Sequence, residues 1–485
     1  MLTLTLILFP IIAGLLTLAS KGENAKTIAS AAAFIELALG AYTYFSFVPD
    51  ASTQFGLSYD WIHAAGVKFS IGIDGISLIL VCLTTLMVPF IIVSTFNSNY
   101  TNANNLYALI LFMQAALVGV FTAKDGFLFY FFFEAALIPV YFIAAIWGGE
   151  NKIKVTLKFF IFTMFGSLFM LLALVYLYMK TPGEIHTSDI TALYEVGQNL
   201  NPSQQGYIFW AFFIAFAIKM PLFPFHTWQP DTYVEAPAPA TMLLSGIMLK
   251  MGTYGLIRIL LPIVPAGVQA WGLTAIILSV IGIVYGSIIA IQQKDMKRLI
   301  AYSSFAHVGL MSAGIFSRTL DGLQGSLIQM LAHGINVIGL FFIVEIIQQR
   351  TKSRELARLG GITQTTPNLT VYFIIIMLGS VALPLTNGFV GEFLLLKGVY
   401  EYNVWIGAVA GITIILGAVY MLRLVQKSMF GITSRITEGF QDLTFSEKAV
   451  LFPIAFLVIA LGIAPNAFLH ITEPAVSQLL TIITK

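Results

Sequence analysis

Apolar residues run along this chain in long blocks, each near the roughly 20 residues that an α-helix needs to cross a bilayer. About fourteen such blocks fall at 2–20, 27–48, 74–96, 104–122, 126–147, 155–178, 207–225, 241–262, 270–292, 299–316, 323–347, 370–395, 404–425 and 447–469. The pattern predicts an all-α membrane protein of about 14 transmembrane helices, because helices satisfy their own backbone groups in lipid. Most links are short. The two longer ones, 49–73 and 179–205, are polar with Gly, Pro and Asn, and are expected to form small caps outside the membrane. Asp74 opens the third block in IDGISL, where its carboxylate is placed to cap a helix N-terminus. The first block carries no basic residue before it and no clear small-residue cleavage site; Lys21 and Lys26 follow it. That is the reverse of a signal peptide, so it is expected to stay as the first span.

Two blocks are interrupted. In the seventh, Pro221 and Pro224 directly follow Lys219; in the twelfth, Pro384 and Gly388 precede Glu392. Proline removes an N–H and clashes with the carbonyl four residues back, so a helix breaks or kinks there. Irregular backbone at membrane depth is tolerated only inside protein or along a wet cavity. A broken helix with an ionisable residue beside the break therefore points to an ion or proton site. The breaks recur in corresponding places, which predicts two similar five-helix units, helices 4–8 and 9–13, with helices 7 and 12 broken. Such recurrence points to a transporter of inverted repeats, although the inversion itself is not written in the sequence. The expected divisions are 1–103 (helices 1–3), 104–262 (first repeat), 263–428 (second repeat) and 429–485 (helix 14).

Composition narrows the class further. Hydrophobic residues make up 58% and charged residues 10%, against about 25% charged in a soluble domain. A soluble protein is excluded. The single cysteine, Cys82, rules out a disulfide framework and a cysteine-ligated iron–sulfur cluster. A net charge of +2 gives no reason to expect nucleic acid. Basic residues crowd into alternate loops: Lys21 and Lys26; Lys152 and Lys154; Lys294, Lys297 and Arg298; Arg350, Lys352, Arg354 and Arg358; Lys427 and Arg435. These loops are expected to face the cytoplasm or its equivalent, with both chain ends opposite.

The candidate chemistry lies in the charges within apolar blocks: Glu134 in block five, Lys219 in seven, Lys250 in eight, His307 in ten, His333 in eleven and Glu392 in twelve. Each uncompensated charge at mid-membrane costs at least roughly 2.5–3.5 kcal/mol, so these groups are expected to pair or to line a hydrated path. A static ion pair fixing helix packing would also account for Glu134 and Lys219, but not for the adjacent break. For His307, packing and relay both remain open. Glu36, in block two, reads as a tie between two helices. Glu392 lies eight residues beyond Pro384, about 12 Å along a continuous helix, and His333 is the expected donor to it through water.

The stretches KMPLFPFHTWQPDTYVEAPAPAT, LLKMGTYGLIR, QQKDMKRLIAYSSFAHVGL and PLTNGFVGEF resemble the antiporter-like subunits of respiratory complex I, the proton-pumping NADH:quinone oxidoreductase. The similarity spans nearly the whole chain. It implies fourteen spans in two inverted repeats and membership of a translocase in which this chain itself carries no redox centre. NADH, FMN, iron–sulfur clusters and quinone would belong to partner subunits, leaving no cofactor and no metal here. Glutamate at position 392, where the L- and N-type chains usually carry lysine, resembles the M-type branch, the mitochondrial subunit 4 type. The resemblance implies a charge pair of Glu134 and Lys219, a linking Lys250, a central His333 and an exit-side Glu392. It also implies L- and N-type neighbours and a bacterial inner or inner mitochondrial membrane. The alternatives are a multisubunit sodium/proton antiporter subunit, which shares the fold, and a haem-carrying electron-transfer protein. The six histidines do not supply the paired ligands that haem would need.

Overall fold

The computed structural model describes residues 1–484 and is helical almost throughout. Helices α1 (Leu2–Ala19) and α2 (Glu23–Ser46) lead into a two-stranded antiparallel hairpin, β1 (Gln54–Ile62) and β2 (Val67–Ile73). This hairpin is the first of the two expected caps. Helix α3 (Gly75–Ser94) begins at Asp74, whose carboxylate accepts from the Ile76 and Ser77 N–H groups while the Ser77 hydroxyl accepts from the Asp74 N–H. The expected cap is therefore present, as a full capping box. Helices α4 (Ala103–Thr122), α5 (Gly126–Trp147) and α6 (Lys152–Tyr178) follow, and then a short helix outside the long ones, α7 (Ile190–Gln198), the second cap.

The first break comes after α8 (Pro202–Lys219). Pro221 has no N–H for the Ala217 carbonyl, which accepts from the Leu222 N–H at 2.7 Å instead. The indole of Trp228 donates to the Ile218 carbonyl at 2.9 Å, satisfying a second group freed by the break. The chain resumes as α9 (Gln229–Glu235) and α10 (Ala238–Ile263). Within α10, two π-turns, Leu244–Met248 and Leu256–Leu260, bracket Lys250.

The second half continues with α11 (Pro265–Gln292), α12 (Met296–Ser317) and α13 (Leu320–Thr351). Helix α14 (Pro367–Ser380) breaks before α15 (Asn387–Tyr402). Ala382 and Leu385 adopt left-handed backbone in this break, at a cost of about 1–3 kcal/mol each. Because the break runs through Thr386, Glu392 lies in the second turn of α15, not at the end of one helix that starts at Pro384. Helix α16 (Val404–Met429) and helix α17 (Phe445–Ile463) follow.

Among the described residues twelve helices are long and apolar enough to cross a membrane; of the interrupted ones, α8 has the length but opens on the polar stretch PSQQG, and α14 and α15 are each shorter. One further helix, α18 (Asn466–Ile483), was not expected from the apolar blocks, which end in a span at 447–469. It buries Ile471, Ala475, Val476, Leu479 and Ile483 against α3 and α13 and exposes its other face. That one-sided spacing is the mark of an amphipathic surface helix. The most deeply buried helices are α3, α4, α10, α12 and α13. The candidate chemistry sits among them.

Candidate functional site

Lys219 is the last residue of α8, so its buried ammonium lies at the negative end of the helix dipole. Its Nζ stands 4.6 Å from the ring centroid of Phe133 on α5. An aromatic face attracts a cation but accepts no proton from it. Glu134, the next residue on α5, is only half-buried and has no cationic side chain within 4.0 Å among the described residues. The expected pair is thus not a direct bridge.

Lys250 is fully buried. Its Nζ donates to the Ser245 carbonyl at 2.7 Å and lies 2.9 Å from His333 Nδ1. Two glycines permit this contact between α10 and α13. A Cβ at Gly334 would stand 2.7 Å from the Gly246 carbonyl oxygen, and one at Gly246 would meet Ile338 at 2.4 Å. Only bare backbone lets the two helices approach so closely. The Lys250–His333 hydrogen bond holds one proton. An ammonium donates to a bare Nδ1, whereas a neutral amine accepts from Nδ1–H. His333 Nε2 is buried with no partner.

His307, not His333, is the imidazole that stands beside Glu392. The two imidazole centroids are 5.8 Å apart with their planes at 60°. His307 Nδ1 lies 3.0 Å from Glu392 Oε1, at an angle too oblique for a hydrogen bond. His307 thus lies between His333 and Glu392, where His333 was expected to face Glu392 through water. The Gln329 amide reaches the same Glu392 oxygen at 3.5 Å. Gly391 makes room for it, since a Cβ there would be 2.3 Å from Gln329 Oε1. Gln329 was missed in the sequence, although Gln329, His333 and Asn336 repeat at helical spacing on one face of an otherwise apolar helix.

The structure therefore brings Lys250, His333, His307 and Glu392 into one line through α10, α13, α12 and α15, and leaves Glu134 and Lys219 as a separate pair. Glu36 ties nothing together: it is fully buried, and both carboxylate oxygens lack a partner. No group of three or more His, Cys, Asp or Glu side chains able to hold a metal ion occurs among the described residues.

Two interrupted helices around a buried line of acids and bases define the antiporter-like class of membrane proteins. The comparisons with known proteins specify which. Residues 123–417 match the model of the family described as NADH:quinone oxidoreductase/Mrp antiporter, TM. The chain is similar to NADH-quinone oxidoreductase subunit M of Rickettsia typhi, 42% identical over 88% of this chain and 86% of that one. It is also similar to NADH-ubiquinone oxidoreductase chain 4 of Marchantia polymorpha, at 35% identity over 98% of this chain and 96% of that one. Among solved structures, a chain of respiratory complex I from Thermus thermophilus with bound NADH superposes with a TM-score of 0.91, at 29% identity, over 99% of this chain and 100% of that one. The protein belongs to the NADH:quinone oxidoreductase/Mrp antiporter transmembrane family.

Proposed function

We propose that this chain is the M-type, proton-translocating membrane subunit of an NADH:quinone oxidoreductase, set between L- and N-type neighbours. The redox groups (NADH, FMN, iron–sulfur clusters and quinone) belong to other subunits and supply the energy. The observation that carries this reading is the line of buried groups from Lys250 through His333 and His307 to Glu392. It links an acceptor on the helix after the first break to a carboxylate just beyond the second.

The chemistry follows from the atoms. A proton on Lys250 passes along its hydrogen bond to His333 Nδ1, and the ring releases the proton it holds on Nε2. Carried by water across the gap between the rings, that proton reaches His307 and then the Glu392 carboxylate. Bringing Glu134 and Lys219 together favours a protonated Lys219; parting them favours its release. Closing the gap therefore sets when the first half holds a proton. The twelve continuous spans and the two interrupted ones give fourteen, arranged as repeats of helices 4–8 and 9–13. Cysteines introduced near Lys152 and Lys180 are expected to react from opposite sides of the membrane; reaction of both from one side sinks this topology.

The runner-up is a subunit of a multisubunit sodium/proton antiporter, which the family description also covers. Glutamate at position 392 and the M-type relatives favour the first reading. The deciding experiment is proton pumping by the intact complex in NADH-energised vesicles. Glu392→Gln is expected to block it at normal assembly, and normal pumping by that variant overturns the assignment.

A further inference from the structure

On the side away from the basic loops, Lys219 and Lys250 are backed by one layer of rings. From Phe133, which stands at Lys219, the centroids run to Phe216 at 6.2 Å, to Phe129 at 6.4 Å, to Tyr254 at 6.3 Å and to Phe121 at 5.5 Å. All five rings are buried. Phe216 comes three residues before Lys219 on α8, and Tyr254 four residues after Lys250 on the oppositely directed α10, so the layer crosses both helices on the same side of the two lysines. The Tyr254 hydroxyl commits its proton to the Phe121 carbonyl at 3.0 Å. The layer leaves water no free donor to bind.

Beyond the rings lies an ion cluster. Asp74, buried at the head of α3, accepts from Lys124 Nζ at 2.8 Å and from the Arg258 guanidinium. Arg258 follows Tyr254 by four residues on α10, and Lys124 follows Phe121 by three, in the turn between α4 and α5. Two cations thus share one carboxylate, and Arg258 Nε is buried without a partner. The carboxylates of the adjoining loops are turned elsewhere. Asp125 accepts from Ser188 Oγ at 2.6 Å and from the Phe127 and Leu128 N–H groups, and Asp189 accepts from the Thr191 N–H at 2.9 Å. Each of these offsets the positive end of its own helix. The cluster therefore holds positive charge in excess. Tyr194 of α7 ties it down from outside, donating to the Arg258 carbonyl at 2.6 Å.

We propose that this double layer is the outer seal of the first half, a barrier that gives the proton on Lys250 its direction. The rings exclude water, and the excess positive charge of Lys124 and Arg258 repels a hydronium ion, as a lone arginine does in a narrow pore. Asp74 is the positioning residue that holds both cations in place. With the way out closed, a proton leaves Lys250 only along the relay. The inference rests on reading Lys250 as a proton carrier and adds what keeps that carrier from discharging at the near end.

The test needs no turnover. The intact complex is reconstituted into liposomes, an acid interior is set by dilution into a more alkaline medium, and the decay of the pH difference is followed with a pH-sensitive dye. Arg258→Gln and Lys124→Met are each expected to speed that decay several-fold at matched assembly, while Arg258→Lys, which keeps the charge, decays at the parent rate. If Arg258→Gln does not assemble, Lys124→Met carries the test, because the pair of Arg258 and Asp74 remains. Asp74→Asn separates a barrier from a brace: asparagine still caps α3 and leaves both cations, so a charge barrier gives no faster decay. A merely structural cluster makes Asp74→Asn leak as much as Arg258→Gln, and that result overturns the seal. So does parent-rate decay in both Arg258→Gln and Lys124→Met. Adding Lys250→Met to Arg258→Gln is expected to return the decay to the parent rate; a leak that persists shows that the cluster does not guard Lys250, and the inference fails. The relay is judged apart from this, since normal pumping by Glu392→Gln removes it without altering the decay rates.

Discussion

The two halves of the molecule hold their ionisable groups in opposite states. Around Glu392 the groups stand close: His307 Nδ1 is 3.0 Å from the carboxylate, and His333 Nδ1 is 2.9 Å from Lys250. Around Lys219 the contact is open, with a phenyl ring at 4.6 Å and Glu134 beyond reach. The difference follows from where each group sits on its broken helix. Lys219 is the last helical residue before its break. Glu392 lies inside α15, past its break and packed against α13 by Gly391 and Gly325. The control point we propose is accordingly the gap at Lys219, the one of the two sites whose contact is open.

The largest expected effect tests the second half. Glu392→Gln keeps the shape but cannot exchange a proton, and turnover is expected to fall on the order of 100-fold or more. Glu392→Asp keeps a titrating group with shorter reach and is expected to retain part of the rate. A purely structural glutamate gives the reverse order, with Gln the milder change. Pumping and quinone-reductase rates at matched assembly decide between them.

A smaller effect is expected where the contact is already open. Glu134→Gln and Lys219→Ala are each expected to remove most of the coupled pumping, roughly tenfold, with the complex still assembled. If Glu134→Gln pumps normally, the gap is not a control point and the contrast between the halves loses its meaning. Next is the helix crossing. Gly334→Ala places a Cβ against the Gly246 carbonyl, so α10 and α13 must separate, at a cost of about 1–3 kcal/mol. A lowered melting temperature together with several-fold slower pumping would reflect a stretched Lys250–His333 bond. Unchanged pumping would mean that this bond tolerates stretching.

The smallest effect concerns how the second broken helix is held. Asp442, in the loop before α17, accepts from the N–H groups of Asn368 and Leu369 in the first turn of α14 and from the Asn368 amide. Burial alone would raise its carboxyl, but these donors and the Leu443 N–H outweigh burial and hold it below the usual carboxylate range. Its contribution is therefore complete above the unfolded-state value near ~3.9 and fades as pH falls through the lower folded value. Asp442→Ala is expected to cost about 0.5–1 kcal/mol, seen as a small drop in thermal stability at neutral pH that vanishes in acid.

Much of this was legible in the sequence, for a physical reason: burying a charge in lipid is so costly that Glu134, Lys219, Lys250, His333 and Glu392 stand out of their apolar blocks unaided. The breaks at Pro221 and Pro384 were legible because a missing N–H is a property of one residue. Neighbours were harder to read. That His307 rather than His333 touches Glu392, and that Phe133 rather than Glu134 faces Lys219, depends on how helices cross and rotate. Those crossings are set by glycines such as Gly246, Gly334 and Gly391, which look unremarkable in a membrane sequence. Helix α18 escaped notice because half of its face is polar, so it does not register as an apolar block.

Helix α10 has one more consequence, which concerns its phase. Each π-turn inserts one residue, so the chain beyond it is rotated by about 100° relative to a regular helix. Lys250 follows the first insertion, and Arg258, whose guanidinium binds Asp74 at the head of α3, lies within the second. The two side chains keep their bearings only while both insertions are present. Removing a single residue from Leu244–Met248 would turn the lysine away from His333 without altering any chemical group, so along this helix the count of residues is itself part of the working part.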